Sequence, residues 1–184
     1  RILTGASKHA FMLESAQADR QWGRYTFMGY EPSHSISCMD SVIRCDDRDI
    51  VTDDPSGFLR GLLSERRSPK IPQLPPFTGG LVGYFAYDYL GYSEPAVRVS
   101  VEDTDAFRDM DVMLFERVIA FDHVRQKIIL IANIRLDDIE DNYRKAMDEL
   151  GEMEALLTSG AGNRDLSGRL LGDFTPLFDE AAYC

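Results

Sequence analysis

A chain of 184 residues with 44% hydrophobic side chains carries enough apolar surface for one globular core, which excludes a wholly disordered chain. Its formal charge of -11, from 31 Asp and Glu against 20 Lys and Arg, repels a polyphosphate backbone and argues against nucleic acid as a partner. No apolar run approaches the roughly 18 residues of a membrane helix, so no membrane is expected as a partner either.

The three cysteines, Cys38, Cys45 and Cys184, lack Cys-x-x-Cys spacing. They read as reduced thiols of a cytoplasmic protein rather than as a disulfide or zinc framework. The chain opens at Arg1 with no initiator Met and no charged-then-apolar leader, which reads as an excised segment without a secretion signal.

In chain order, Ala10 to Glu14 and Tyr25 to Tyr30 are rich in aromatic and aliphatic residues and predict two strands able to pair as a hairpin across a polar connection at Asp19 to Gln21. Ile36 to Met39 and Val42 to Cys45 predict two more around a turn at Asp40-Ser41. The acidic stretch Asp46 to Asp54 lacks the Gly and distal Glu of a calcium loop and reads as a solvated turn. Asp54-Pro55 is a helix start, with Asp capping free amides and Pro at the first position. The helix runs to about Glu65, with Phe58, Leu59, Leu62 and Leu63 on one face.

Four prolines between Ser68 and Pro76 forbid its continuation. Arg66, Arg67 and Lys70 beside them read as a solvated loop. Val112 to Phe115 leads into a hairpin of Val118 to Phe121 and Lys127 to Ala132, turning at Asp122 to Gln126. Ile139 to Leu157 predicts the longest helix, with Ile139, Tyr143, Ala146, Met147, Leu150, Met153 and Leu157 as its apolar stripe. Glu140 with Arg144 and Asp141 with Lys145 stand at i,i+4 spacing, worth about 0.3 kcal/mol each. The polar, Gly-rich run from Thr158 to Gly172 reads as a linker.

Three segments are distinctive together: Phe11-Met12-Leu13-Glu14-Ser15, Gly23-Arg24-Tyr25-Thr26-Phe27-Met28-Gly29, and Pro76-Phe77-Thr78-Gly79-Gly80-Leu81-Val82-Gly83-Tyr84-Phe85-Ala86-Tyr87-Asp88. Gly79-Gly80 is not a phosphate loop, because no Lys-Ser or Lys-Thr follows and the run that it opens is strand-like. The glycines let the backbone bend or approach closely, with Tyr84, Phe85 and Tyr87 expected in the core. The run Leu81 to Tyr89 reads as a strand covered on both faces.

In this order and approximate spacing, from Leu3 to Leu150, the chain resembles the N-terminal domain of the anthranilate synthase component I family. Asp173 to Cys184 resembles that family's lead-in to its chorismate-binding domain. The resemblance implies an α+β fold, mostly antiparallel sheet with a few helices, part of a larger two-sheet sandwich of the chorismate-utilising enzymes. It implies a tryptophan-sensing regulatory domain over residues 1–157, and over residues 158–184 a linker and lead-in to a chorismate-binding domain lying past Cys184.

The parent reaction it implies converts chorismate and ammonia, delivered by a glutamine amidotransferase subunit, to anthranilate and pyruvate, with Mg2+ bound. The catalytic and metal residues belong to the chorismate-binding domain, so none is expected here and the chain alone should be inactive. The family's tryptophan pocket maps onto Leu13, Glu14, Ser15, Arg24 and Tyr25. A free amino acid calls for an anion, a cation or amide donors, and an apolar slot. Glu14 can face its ammonium, a pairing worth roughly 4 kcal/mol at 4 Å before desolvation. Ser15 can add a hydrogen bond.

On their own residues, a solvated Glu14, a turn at Ser15 and a surface pairing of Arg24 with Glu14 stand as the alternative. His9, His34 and His123 share no ligand spacing and read as surface or turn residues. The same domain occurs in aminodeoxychorismate synthase component I, and a stand-alone amino-acid-binding module is a further reading. With the chorismate-binding domain missing, an apolar patch is expected to favour self-association.

Overall fold

The computed structural model describes residues 2–15, 23–97, 106–159 and Gly172. Among them lie four helices and nine strands: α1 (Ile2–Ala6), β1 (Ala10–Leu13), β2 (Tyr25–Tyr30), β3 (His34–Met39), β4 (Val42–Cys45), β5 (Arg48–Val51), α2 (Pro55–Ser64), β6 (Gly80–Phe85), α3 (Leu90–Ser93), β7 (Met110–Phe115), β8 (Arg117–Asp122), β9 (Lys127–Ala132) and α4 (Ile139–Thr158). The strands form a four-stranded sheet, β1-β2-β8-β9, and a five-stranded sheet, β5-β4-β3-β7-β6. Every pairing is antiparallel. The fold is therefore α+β, as the sequence implies.

The two sheets grow from one long antiparallel pair. β2 continues as β3 and β7 continues as β8, with β2 paired to β8 and β3 to β7. The pair breaks at Glu31–Ser33 on one strand and at Glu116 on the other. Pro32 has no N–H to give a ladder, and Glu31 adopts a φ of 49°. The Ser33 amide still reaches the Leu114 carbonyl at 2.8 Å, and an Arg117–Glu31 ion pair of 2.7 Å spans the bend.

Each sheet buries one face under helices. Leu59 of α2, flanked by Phe58 and Leu62, packs on Ile36, Cys38, Ile43, Met110 and Val112 of the five-stranded sheet. The helix starts as read, with the Asp54 carboxylate accepting from the Gly57 amide at 2.8 Å. Leu3 of α1 and Met153 of α4 pack with Tyr30 and Ile119 of the four-stranded sheet. The opposite face of that sheet carries Phe11 and Phe27, both edge-on to Phe77, with Phe115 against Phe11.

Several expectations need correction. Residues 46–54 are not only a turn. Asp46 at φ 52° reverses the chain and Arg48–Val51 forms an exposed edge strand on β4, held by an Arg44–Asp49 pair of 2.8 Å; its charged ends hid its alternation. The run from Leu81 is not one strand covered on both faces. β6 stops at Phe85 on the open edge of its sheet and passes into short helical turns at Tyr87–Tyr89 and Leu90–Ser93.

Tyr84, Phe85 and Tyr87 accordingly lie outside the core, at 38%, 54% and 81% exposure. Tyr89 and Tyr92 pack there instead. Tyr92 donates to Asp109 at 2.6 Å and accepts from the Ser41 amide at 2.9 Å, locking the turn onto the β3–β4 hairpin.

In α4 only one flank of the predicted stripe is buried, through Ala146, Leu150, Met153 and Leu157. Ile139, Tyr143 and Met147 stay exposed. Lys145 pairs with Asp141 as expected, but Arg144 turns to Asp141 at i,i+3 and not to Glu140. Arg66 is not a solvated loop residue: it lies half-buried against Glu116 and His34. The Asp19 to Gln21 connection, most of the Thr158 to Gly172 linker and the Asp173 to Cys184 lead-in lie outside the described residues.

Candidate functional site

β1 is an edge strand, and its last residue, Leu13, pairs with Phe27 of β2. Glu14 and Ser15 therefore leave the sheet beside the Tyr25–Thr26 start of β2. Met12 and Leu13 are 62% and 47% exposed, and Glu14 and Ser15 are exposed as well. No ion pair or hydrogen bond among the described residues engages the Glu14 carboxylate. One end of the sheet thus gathers an apolar edge, an uncommitted carboxylate and the Tyr25 ring.

Arg24 lies at the same end, but it is held. It donates Nε and Nη2 to the two carboxylate oxygens of Asp122 at 3.1 and 2.7 Å. The pairing with Glu14 that the sequence left open is not formed. Asp122 is fully buried at the end of β8 and also accepts from the amides of Val124 and Arg125, both at 3.1 Å. The Arg24 guanidinium, aided by those amides, holds the Asp122 carboxyl down at about 2. The same bond raises Arg24 above its ordinary value.

The Arg24 guanidinium lies over the Tyr25 ring at 4.9 Å, and Tyr25 stacks on Phe27 at 5.6 Å. Phe27 meets Phe77 edge-on at 5.5 Å. Next to this lock, Thr26 Oγ1 shares a 2.8 Å hydrogen bond with His123 Nε2. An Asp opening a turn and accepting from the next amides is legible in sequence. Its partner 98 positions away is not.

The described residues also enclose a cavity of about 390 Å³ at the far end of the bend, lined by Arg66, Ser68, Gly79, Glu116 and Asn133 among others. None of the five expected pocket residues lines it. Gly79, at φ 147°, leaves no room for a side chain, since a Cβ would come within 2.7 Å of Asn133 Nδ2. That nitrogen ties the Thr78 and Glu116 carbonyls together at 2.7 and 3.0 Å.

No protein-family model matches the chain. Among curated proteins it is similar to anthranilate synthase component 1 of Acinetobacter calcoaceticus, 35% identical over 159 residues and covering 82% of this chain and 32% of the relative. It is also similar to the Saccharomyces cerevisiae protein of the same name, 30% identical over 154 residues, covering 82% and 29% respectively. Among solved structures, anthranilate synthase component I from Streptococcus pneumoniae aligns with a TM-score of 0.56 and 25% identity, over 80% of this chain and 32% of that one.

The chain belongs to the anthranilate synthase component 1 family. It spans 32% and 29% of the length of those two curated relatives. The three segments that carry the family resemblance fall on the β1 end, on β2 and on the loop and edge strand around β6.

The magnesium that family membership brings to mind does not fit the donors described here. The one convergent donor group, His34, Cys45 and Asp46, offers a nitrogen, a sulfur and a single carboxylate, where Mg2+ demands oxygens in near-octahedral array. No helix among the described residues is long and apolar enough to cross a membrane.

Proposed function

We propose that this chain is the N-terminal, regulatory part of an anthranilate synthase large subunit, and that the β1 end is one wall of a tryptophan site. The carrying observation is the uncommitted Glu14 carboxylate at an exposed apolar edge beside Tyr25. Glu14 faces the ligand ammonium, Leu13 and Tyr25 flank its side chain, and Ser15 supplies a polar contact. Arg24 acts differently from the simple cation that a carboxylate calls for: with two donors on Asp122, it holds the pocket floor and leaves the ligand carboxylate to other groups.

The parent enzyme makes anthranilate and pyruvate from chorismate and ammonia in the cytoplasm, with a glutamine amidotransferase subunit as partner and Mg2+ in the chorismate-binding domain. This part supplies regulation and no catalytic group. An open edge is half a site, so the isolated chain binds L-tryptophan weakly or not at all. Calorimetric titration giving micromolar affinity for this chain alone would refute the half-site.

In the full-length enzyme, Glu14→Gln should weaken tryptophan inhibition by roughly tenfold, the equivalent of about 1.4 kcal/mol, with kcat unchanged. Equal inhibition of the variant and the parent sinks the assignment. Product analysis of the full-length enzyme separates this reading from the aminodeoxychorismate one, which yields no anthranilate.

A further inference from the structure

The β3–β4 hairpin carries a second constellation that the regulatory reading does not use. Cys45 ends β4, and Asp46 at φ 52° turns back toward the neighbouring strand. There the Asp46 amide bonds the Ser35 carbonyl at 2.9 Å. The Ser35 amide in turn donates to Asp46 Oδ1 at 3.0 Å. Asp46 Oδ2 lies 2.8 Å from Nδ1 of His34 at the head of β3. The ligand atoms of His34, Cys45 and Asp46 all lie within 4.8 Å of one another. Both strands are paired along their length, β3 between β4 and β7 and β4 between β3 and β5, so the three donors sit on a stiff frame.

We propose that His34, Cys45 and Asp46 form a binding site for a borderline transition-metal cation of the Zn2+ type. The donor set selects the class. A thiolate and an imidazole favour zinc-like ions over magnesium or calcium, and a carboxylate completes three protein ligands. Side-chain exposures of 31% for His34 and 47% for Asp46 leave an entry path and room for water as a fourth ligand. All sequence separations are local to one hairpin, yet no His/Cys spacing rule describes them, because the turn at Asp46 and the strand pairing create the approach.

The surrounding charges set how tightly the site binds. Arg66 Nη2 lies 3.3 Å from His34 Nε2, so in the metal-free chain Nε2 accepts and Nδ1 carries the proton toward Asp46. Coordination through Nδ1 moves that proton to Nε2, where it faces the guanidinium, and Arg66 then relies on the Leu62 carbonyl and Glu116. The Cys45 thiol releases its proton to solvent, one per cation bound. Burial raises that thiol, while nearby Arg48 and Arg66 oppose the rise and Asp46 adds to it. Affinity therefore increases with pH and is held in check by Arg66.

The test is a Co2+ titration of the chain, read by thiolate-to-cobalt charge-transfer absorbance, followed by displacement with Zn2+. One ion per chain is expected, with the band retained in Cys38→Ser and Cys184→Ser. It should be lost in Cys45→Ser, while His34→Gln should weaken binding by more than the roughly 10- to 100-fold that an outer-shell partner costs. Asp46→Asn weakens binding, and Arg66→Met strengthens it. Circular dichroism checks that each variant is folded, and Arg66→Met gives a gain that misfolding cannot mimic. Absence of the band from the intact chain at cobalt excess, or its persistence in Cys45→Ser, overturns the site.

Discussion

Two sheet edges leave apolar side chains in water, and they are built for different purposes. The β1 edge exposes Met12 and Leu13 and then presents Glu14, with the Arg24–Asp122 lock across the same end. The β6 edge exposes Tyr84 and Phe85 but runs on into aromatic turns fastened by Tyr92 to Asp109 and Ser41. A lone carboxylate beside an apolar strip suits a small charged ligand, whose polar ends need partners. A strip of rings without such a carboxylate suits burial against another surface. Exposed hydrophobicity alone does not tell the two apart; the polar group that accompanies it does.

The sharpest way to break this contrast is to ask whether edge side chains carry the fold. Ile119 is fully buried under α1 and α4, and Ile119→Ala is expected to cost about 2–5 kcal/mol by transfer and cavity terms. Urea denaturation measures it. A cost for Leu13→Ala of the same size would mean that the β1 edge is core in solution, and the half-site reading would lose its exposed face.

The acid-base lock at the β1 end gives the next effect. Asp122 sits at about 2 in the folded chain because Arg24 and two amides hold its charged form, against about 3.9 for an unfolded Asp. A lowered carboxyl contributes stability that is fully present above the unfolded value and is lost as pH falls through the folded one. This contribution should therefore disappear between about pH 4 and pH 2. Arg24→Met should raise the pH at which the loss begins and narrow the window. Unfolding midpoints measured across that range check both, and a midpoint in Arg24→Met with the parent's pH profile would show that Arg24 does not hold Asp122.

Local signals in the sequence reached most of the fold. Asp54-Pro55, the Asp40-Ser41 turn and the alternation of β8 and β9 each act within a few residues, and each appears where it was expected. The misses arise where a neighbour decides. Phe85 and Tyr89 share the same apolar run, yet one is exposed and the other packs against the core, because the chain leaves the sheet at Ala86. Ile139 and Met153 share one helix, but only the second meets the sheet. At the candidate site the sequence supplied Glu14 and Tyr25 through family resemblance. It offered no route to Asp122, whose importance comes from strand pairing across the molecule.

The smallest effect on stability belongs to the β6 edge, and it separates the two edges most cleanly. Phe85→Ser together with Tyr87→Ser alters two side chains at 54% and 81% exposure, so each change is expected to stay near 0.5 kcal/mol. If the ring strip is a packing surface, the isolated chain self-associates through it, and the double variant lowers the mass seen by light scattering at high concentration. Met12→Ser with Leu13→Ser should leave that mass unchanged. The reverse result, association lost with the β1 changes and kept with the β6 changes, would exchange the roles of the two edges and move the docking surface onto the proposed tryptophan wall.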